Sequence, residues 1–263
     1  MRLHFTMLPL LAALLLVGCA TRPPASDPEA VAEFEATNDP AEPFNRAMYD
    51  VHEGIDRVVL RPVASAWREV VPRPVRQGVR NALGNLRSPV ILLNDLLQGE
   101  TDRAGRTASR FVINSTLGIG GLIDVANDHF NLPGHSEDWG QTLARWKAEE
   151  GPYLFIPVLG PSNPRDLFGF MLGIASDPFT WIGQGPAVEA LYWSRTGMTV
   201  VDTRENLLDT LDDVQRTSLD PYATLRSAYR QRRQADIENR LDRTGPAGIG
   251  TGFGSGTDLN PRR

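Results

Sequence analysis

Asn38-Asp39-Pro40-Ala41-Glu42-Pro43-Phe44-Asn45-Arg46-Ala47-Met48-Tyr49-Asp50-Val51-His52-Glu53-Gly54-Ile55-Asp56-Arg57-Val58 decides the fold class. Asn38 and Asp39 supply side-chain acceptors, and Pro40 follows where a first helical turn has no use for an N–H. Phe44, Met48, Val51, Ile55 and Val58 then recur at alternating steps of four and three, which places them on one helical face. The same grammar repeats outward. Val63, Trp67 and Val70 continue the stripe after Pro62, and Pro72 and Pro74 break the chain. Val75, Val79, Leu83 and Leu86 form the next stripe, Ser88-Pro89 reads as a fresh start, and Gln98-Gly99 reads as a stop. Thr101 opens a helix carrying Ala104, Ala108, Phe111 and Val112 that ends near Gly118. Further starts fall at Ser136 and Asp138, at Asn163-Pro164, at Pro186 and at Asp220-Pro221. The helix from Pro186 runs toward Leu211 with a break on the way. Consecutive β alternation is absent, and no repeat of fixed period occurs. The expected class is all-α, built of many short Pro-broken helices in a single domain.

Toward the N-terminus the character changes. Arg2 precedes an apolar run from Met7 to Val17, too short to span a bilayer, and Leu16-Val17-Gly18-Cys19 closes it. Cys19 is the single cysteine. The run resembles a bacterial lipobox, in which the thiol is acylated and becomes the first residue of the mature chain. Each buried CH₂ of such lipid contributes about 0.8 kcal/mol, and several chains together give stable anchoring. Ala20, rather than Asp, after the cysteine favours outer-membrane sorting by the same resemblance. The expected organisation is a signal peptide over 1–18, a lipidated flexible tether over 19–38, a helical domain over 39–240 and a disordered Gly-rich tail over 241–263. The tether is rich in Pro, Ala and acidic residues without apolar period, and the tail has almost no large apolar residue.

Composition narrows the partners. With 41% apolar residues the chain builds a real core, and a formal net charge of −5 gives no footprint for nucleic acid. Basic residues are almost all arginine, with Lys147 the sole lysine. Pro89–Leu97, Gly118–Ile123, Pro152–Pro161 and Phe168–Ile182 are too apolar for ordinary surface, yet none reaches the ~20 residues of a spanning helix. Each reads singly as core. Together, beside a lipobox, they suggest elements lying in one leaflet with aromatic residues at headgroup level.

Catalytic constellations are thin. His52, His129 and His135 lack the spacing of a metal pair, and surface or capping roles suit His129 and His135 best. Gly252-Phe253-Gly254-Ser255-Gly256 misses the nucleophile elbow, and Gly118-x-Gly120 fails the dinucleotide fingerprint at Ile123. No catalytic residue, metal site or cofactor is expected, and the chain does not read as an enzyme.

Particular residues then become informative. They are Asn38-Asp39-Pro40-Ala41-Glu42-Pro43-Phe44-Asn45-Arg46, Arg61-Pro62-Val63-Ala64, and Arg110-Phe111-x-x-Asn114-Ser115-Thr116-x-Gly118-x-Gly120-Gly121-x-x-Asp124. Gly140-Gln141-Thr142-Leu143, Gly151-Pro152-Tyr153, Gly160-Pro161-Ser162, Arg165-Asp166 and Asp220-Pro221-Tyr222 follow in order. In this the chain resembles the MlaA (VacJ) family of outer-membrane lipoproteins. Lys147-Ala148-Glu149-Glu150 departs from the tighter glycine-containing turn expected there.

The resemblance implies a ring of helices in the inner leaflet of the outer membrane, lipid-anchored on the periplasmic face beside a trimeric porin. It implies removal of phospholipid from the outer leaflet and delivery to a periplasmic lipid-carrier protein of the Mla pathway, which maintains lipid asymmetry. The competing expectation is a structural lipoprotein, an envelope tether or scaffold without lipid transfer. Cys19 is the expected lipid attachment site. Gly118, Gly120 and Gly121 form either a flexible lip at a lipid entrance or a tight turn for packing. Phe44 and Asn45 either shape the ring or serve as a core Phe with a capping Asn. Arg165 and Asp166 are either a structural pair or pore lining.

Overall fold

The computed structural model describes residues 23–24, 26–181 and 185–239. Cys19, the signal segment, the start of the tether and the tail from 241 lie outside the described residues. The first described helix, α1 (Pro28–Thr37), stands inside the stretch expected to be a tether without helical period.

The helix expected from Pro40 starts at Glu42 instead, with Pro43 in its first turn. This α2 (Glu42–Ile55) passes through a wide π turn, Asp56–Leu60, into α3 (Arg61–Val70). Pro62 therefore does not interrupt the chain's helical course. A proline ring collides with the carbonyl four residues back, and the wider turn just ahead of it gives that carbonyl room. Val71 and Pro72 adopt extended backbone and end the helix, as expected.

The long helix α4 (Arg73–Leu97) holds a second correction: it runs straight through Pro89, where a new helix was expected. Val90, Ile91, Asn94 and Asp95 are buried just beyond that proline, where α4 packs against α5 (Thr101–Thr116). Burial of that face outweighs the ~3 kcal/mol that an interior proline costs. Short α6 (Val125–Phe130) and α7 (Trp139–Arg145) follow, α7 capped by the Asp138 carboxylate accepting from the Gln141 N–H at 2.9 Å.

A hairpin interrupts the helices. β1 (Leu154–Ile156) pairs antiparallel with β2 (Gly160–Ser162), Phe155 opposite Pro161. Much of the apolar stretch Pro152–Pro161 is thus core and not lipid-facing surface. Tyr153 and Phe155 are buried with Tyr49, Tyr222, Leu225 and Tyr229, their rings meeting edge to face. Then come α8 (Pro164–Ser176), a single 3₁₀ turn at Pro178–Thr180, α9 (Pro186–Asn206), α10 (Leu208–Thr217) and α11 (Pro221–Ile237). The break expected on the way to Leu211 falls at Leu207.

The chain closes on itself. Tyr222 donates to Asp39, Arg226 reaches Asp39 at 2.7 Å, and Arg46 reaches Asp220 at 2.6 Å. The last described helix is therefore fixed to the segment that opens α2. His135 is a further correction, being buried and bonded to Asp95 at 2.9 Å where a surface or capping role was expected. Asp95 also accepts from Thr107, and neighbouring Glu137 receives Arg103 at 2.5 Å. Buried polar groups need such partners, and α4, α5 and the segment before α7 supply them mutually.

Large apolar groups also remain outside. Phe168, Phe170, Met171, Ile174 and Trp181 on α8 and the turn after it are exposed, as are Leu191 and Trp193 on α9. Among the described residues no helix is long and apolar enough to cross a membrane.

Candidate functional site

Between α4, α7, the hairpin, α8, α9 and α11 lies a cavity of about 260 Å³. Its wall is divided by chemistry. Leu83, Val90, Leu159, Leu167, Phe170 and Ile174 form an apolar part. Arg87, Asp138, Asp166, Asp177, Arg195 and Arg233 form a charged part, with Tyr192 and Tyr229 beside them.

The charged part is mostly locked. Arg233 on α11 donates to both Asp138 oxygens at 2.7 and 2.8 Å and lies 2.7 Å from Asp166. Asp166 also receives Tyr229 at 2.6 Å, Asn163 at 3.1 Å and Arg165 at 3.0 Å. Burial would raise the Asp138 pKa, but the Arg233 charge and hydrogen bonds outweigh it and hold the carboxyl well below its ordinary range. Arg233 is correspondingly raised despite its burial, through Asp138 above all. Burial pushes the Tyr229 hydroxyl up, with Asp166 adding to it. Burial pushes Arg87 down, only partly offset by Asp138.

Two glycines make this wall possible. A Cβ on Gly140 would lie 2.2 Å from an Arg233 nitrogen, and one on Gly169 would lie 2.4 Å from the Gly140 backbone nitrogen. Helices α7 and α8 therefore approach closely enough for Arg233 to reach across both.

Of the residues expected from the sequence, Asp166 lines the cavity and Arg165 pairs with it. Asn45 lies elsewhere, fully buried. It donates to Asp39 at 2.7 Å and to the Tyr153 carbonyl at 3.0 Å, and it accepts from the Phe155 N–H at 3.0 Å. It ties α2 to the hairpin, while Phe44 beside it is half-buried. Gly118, Gly120 and Gly121 sit in the loop between α5 and α6, away from the cavity lining. A Cβ on Gly118 would lie 2.3 Å from the Ile123 carbonyl oxygen, and one on Gly121 would lie 2.6 Å from Asn85. Gly120 has open space and a φ of +69°. Around this tight backbone Leu117, Ile119, Leu122 and Ile123 face outward, exposed. Three other arginines are paired away from the cavity: Arg76 and Arg80 with Glu205, and Arg110 with Asp124.

Sequence reasoning missed Arg87, Asp177, Arg195 and Arg233. Asp177-Pro178 resembles the other Asx-Pro helix starts, so a cap was readable there. Nothing local distinguishes the three arginines from those on solvated faces.

A helical fold with large apolar side chains exposed near a small cavity of mixed charge defines a class of helical proteins that present apolar surface outward. The chain belongs to the MlaA lipoprotein family, whose pattern matches residues 37–236. It is 36% identical over 225 residues to the "Intermembrane phospholipid transport system lipoprotein MlaA" of Escherichia coli, covering 84% of each chain. The Haemophilus influenzae protein of the same name is 35% identical over 234 residues, covering 88% of this chain and 89% of that one. A solved structure described as "Structural basis for maintenance of bacterial outer membrane lipid asymmetry" superposes with a TM-score of 0.64 at 34% identity. It covers 76% of this chain and 98% of its own. These relatives are named for lipid transport and not for an enzymatic reaction.

Proposed function

We propose that this protein removes phospholipids from the outer leaflet of the outer membrane and passes them to a periplasmic carrier, so maintaining lipid asymmetry. On this reading the chain is held by acylated Cys19 on the periplasmic face, next to a trimeric porin, and does no covalent chemistry. The division into signal, tether, helical domain and Gly-rich tail belongs to the same reading.

One observation carries it: the cavity wall is continuous with the apolar exterior. Leu159, Phe170 and Ile174 line the cavity and are also substantially exposed. A headgroup can thus stand among charged side chains while its acyl chains remain against apolar surface. Without such partners, moving a charged group through hydrocarbon is very costly. At about 260 Å³ the cavity falls below the ~300–1,000 Å³ that encloses a whole drug-sized ligand, so it suits a headgroup and not an entire lipid.

The test is a deletion strain assayed for outer-leaflet phospholipid and for detergent sensitivity. Complementation by the intact gene should restore both, and complementation by Cys19→Ser should fail while removing fatty-acid labelling of the protein. Unchanged lipid asymmetry in the deletion strain would overturn the transport reading and favour a structural lipoprotein.

A further inference from the structure

The cavity's charged residues differ in how firmly they are held, and the difference points to the headgroup. Asp138 receives Arg233 twice and caps α7, and Asp166 receives four neighbours. Neither can turn toward a ligand without leaving a buried charge unpaired. The pair Arg195–Asp177 is different. A single contact of 2.7 Å joins them, and Arg195 otherwise lies over the Phe179 ring at 5.3 Å. Asp177 keeps its other oxygen on the Phe179 N–H at 3.0 Å, so its position survives if Arg195 swings away.

The lining as a whole is balanced. Arg87, Arg195 and Arg233 face Asp138, Asp166 and Asp177, so the formal charge of the wall is zero. An anionic headgroup entering here would pair with Arg195 and take from Asp177 the cation that now stands 2.7 Å from it. A headgroup bearing both phosphate and amine exchanges one internal pair for two: phosphate on Arg195 and ammonium on Asp177. Arginine suits the first contact because its planar fork matches phosphate oxygens. The selection against the anionic lipid comes from the carboxylate it would leave unmatched.

Building on the transport reading, we infer that Arg195 and Asp177 are the residues that select a zwitterionic, amine-bearing phosphate headgroup over a purely anionic one. In the test, full-length acylated protein is extracted in detergent and incubated with vesicles of equal phosphatidylethanolamine and phosphatidylglycerol. The protein is then re-isolated and its retained lipid quantified by mass spectrometry. Wild type should favour phosphatidylethanolamine about tenfold, the worth of one charge-assisted hydrogen bond. Asp177→Asn keeps the cap on Phe179 but removes the charge, and should bring the ratio close to one. Arg195→Gln should lower retention of both lipids. Glu189→Gln, exposed on the same helix, should leave the ratio unchanged.

Equal retention of the two lipids by wild type, or an Asp177→Asn ratio like that of wild type, would overturn the inference while leaving transport standing. A shift in Glu189→Gln as large as that in Asp177→Asn would overturn it too, since general surface charge would then explain both. A parallel arm offers glycerophosphoethanolamine without acyl chains. Retention of that compound with no lipid retained would overturn the assignment to a membrane headgroup. If wild type retains no phospholipid from either vesicle component, the transport reading falls and takes this inference with it.

Discussion

The cavity wall and the loop between α5 and α6 both take their shape from specific bonds, but of opposite kinds. In the wall, side chains do the holding: Arg233 bridges Asp138 and Asp166, and glycines at 140 and 169 only make room. In the loop, the backbone holds itself. The Gly121 N–H donates to the Asn114 carbonyl at 2.8 Å and the Ile123 N–H to the Gly118 carbonyl at 3.0 Å. The side chains there, Leu117, Ile119, Leu122 and Ile123, are left free to face outward. A region that meets charge thus spends its side chains on structure. The loop leaves its apolar side chains exposed and takes its shape from glycine and backbone bonds.

The largest expected effect tests whether the loop moves at all. A Cβ on Gly78 would lie 3.5 Å from the Leu122 carbonyl oxygen, so a Gly78→Cys, Leu122→Cys pair joins positions where α4 and the loop touch. If the loop is a lip that opens for lipid, oxidation should abolish lipid transfer and reduction should restore it, at constant protein level. Full transfer by the verified cross-linked form would make the loop a packing element and its glycines structural.

The next effect lies in the wall. Arg233→Met leaves Asp138 buried without its cation and Asp166 with Arg165 alone, and breaking such a pair costs about 3–5 kcal/mol. Chemical denaturation followed by circular dichroism should show that loss. A loss of less than about 1 kcal/mol would place the pair with weak surface ion pairs and dissolve the contrast.

Glycine substitutions sharpen the comparison at smaller scale. Gly169→Ala drives a methyl group into the α7 backbone and should destabilise by about 1–3 kcal/mol. Gly120→Ala has open space and suffers only from its positive φ, so it should lose about 1 kcal/mol. Equal melting temperatures for the two variants would show that close helix approach is not what Gly169 provides.

The smallest effect is a pH dependence at the hairpin. Burial lowers the His52 pKa, and its Nδ1 accepts from the Val158 N–H at 3.1 Å, a bond that requires the unprotonated ring nitrogen. Below about pH 6.5 the unfolded chain therefore binds a proton at this site that the folded chain resists. Unfolding is favoured as pH falls through that window, and stability returns as pH rises above it. His52→Gln, which cannot titrate there, should lose less stability between about pH 7.5 and about pH 5.5 than wild type does. Parallel pH profiles for the two proteins would mean that His52 titrates as it does when unfolded.

The sequence by itself determined most helix starts and the family. Asp138, Asn163 and Asp220 accept from the N–H groups of Gln141, Asp166 and Ala223, so each cap is settled within three residues of chain. The all-α class follows from such caps and from apolar stripes of helical period. Only the tertiary structure decided that Pro62 and Pro89 would not break their helices, because a π turn and a buried face absorb a cost that local propensity alone could not offset. It also decided that Asn45 and His135 would be buried, since their partners stand on distant segments. The cavity lies furthest from what sequence could show. Its charges come from Arg87, Asp138, Asp166, Asp177, Arg195 and Arg233, on separate elements spread across most of the domain. An ion pair is set by where packing leaves two side chains, whereas a cap is set by the backbone turn that follows it. Arg195 and Arg233 carry no local mark of their task for that reason.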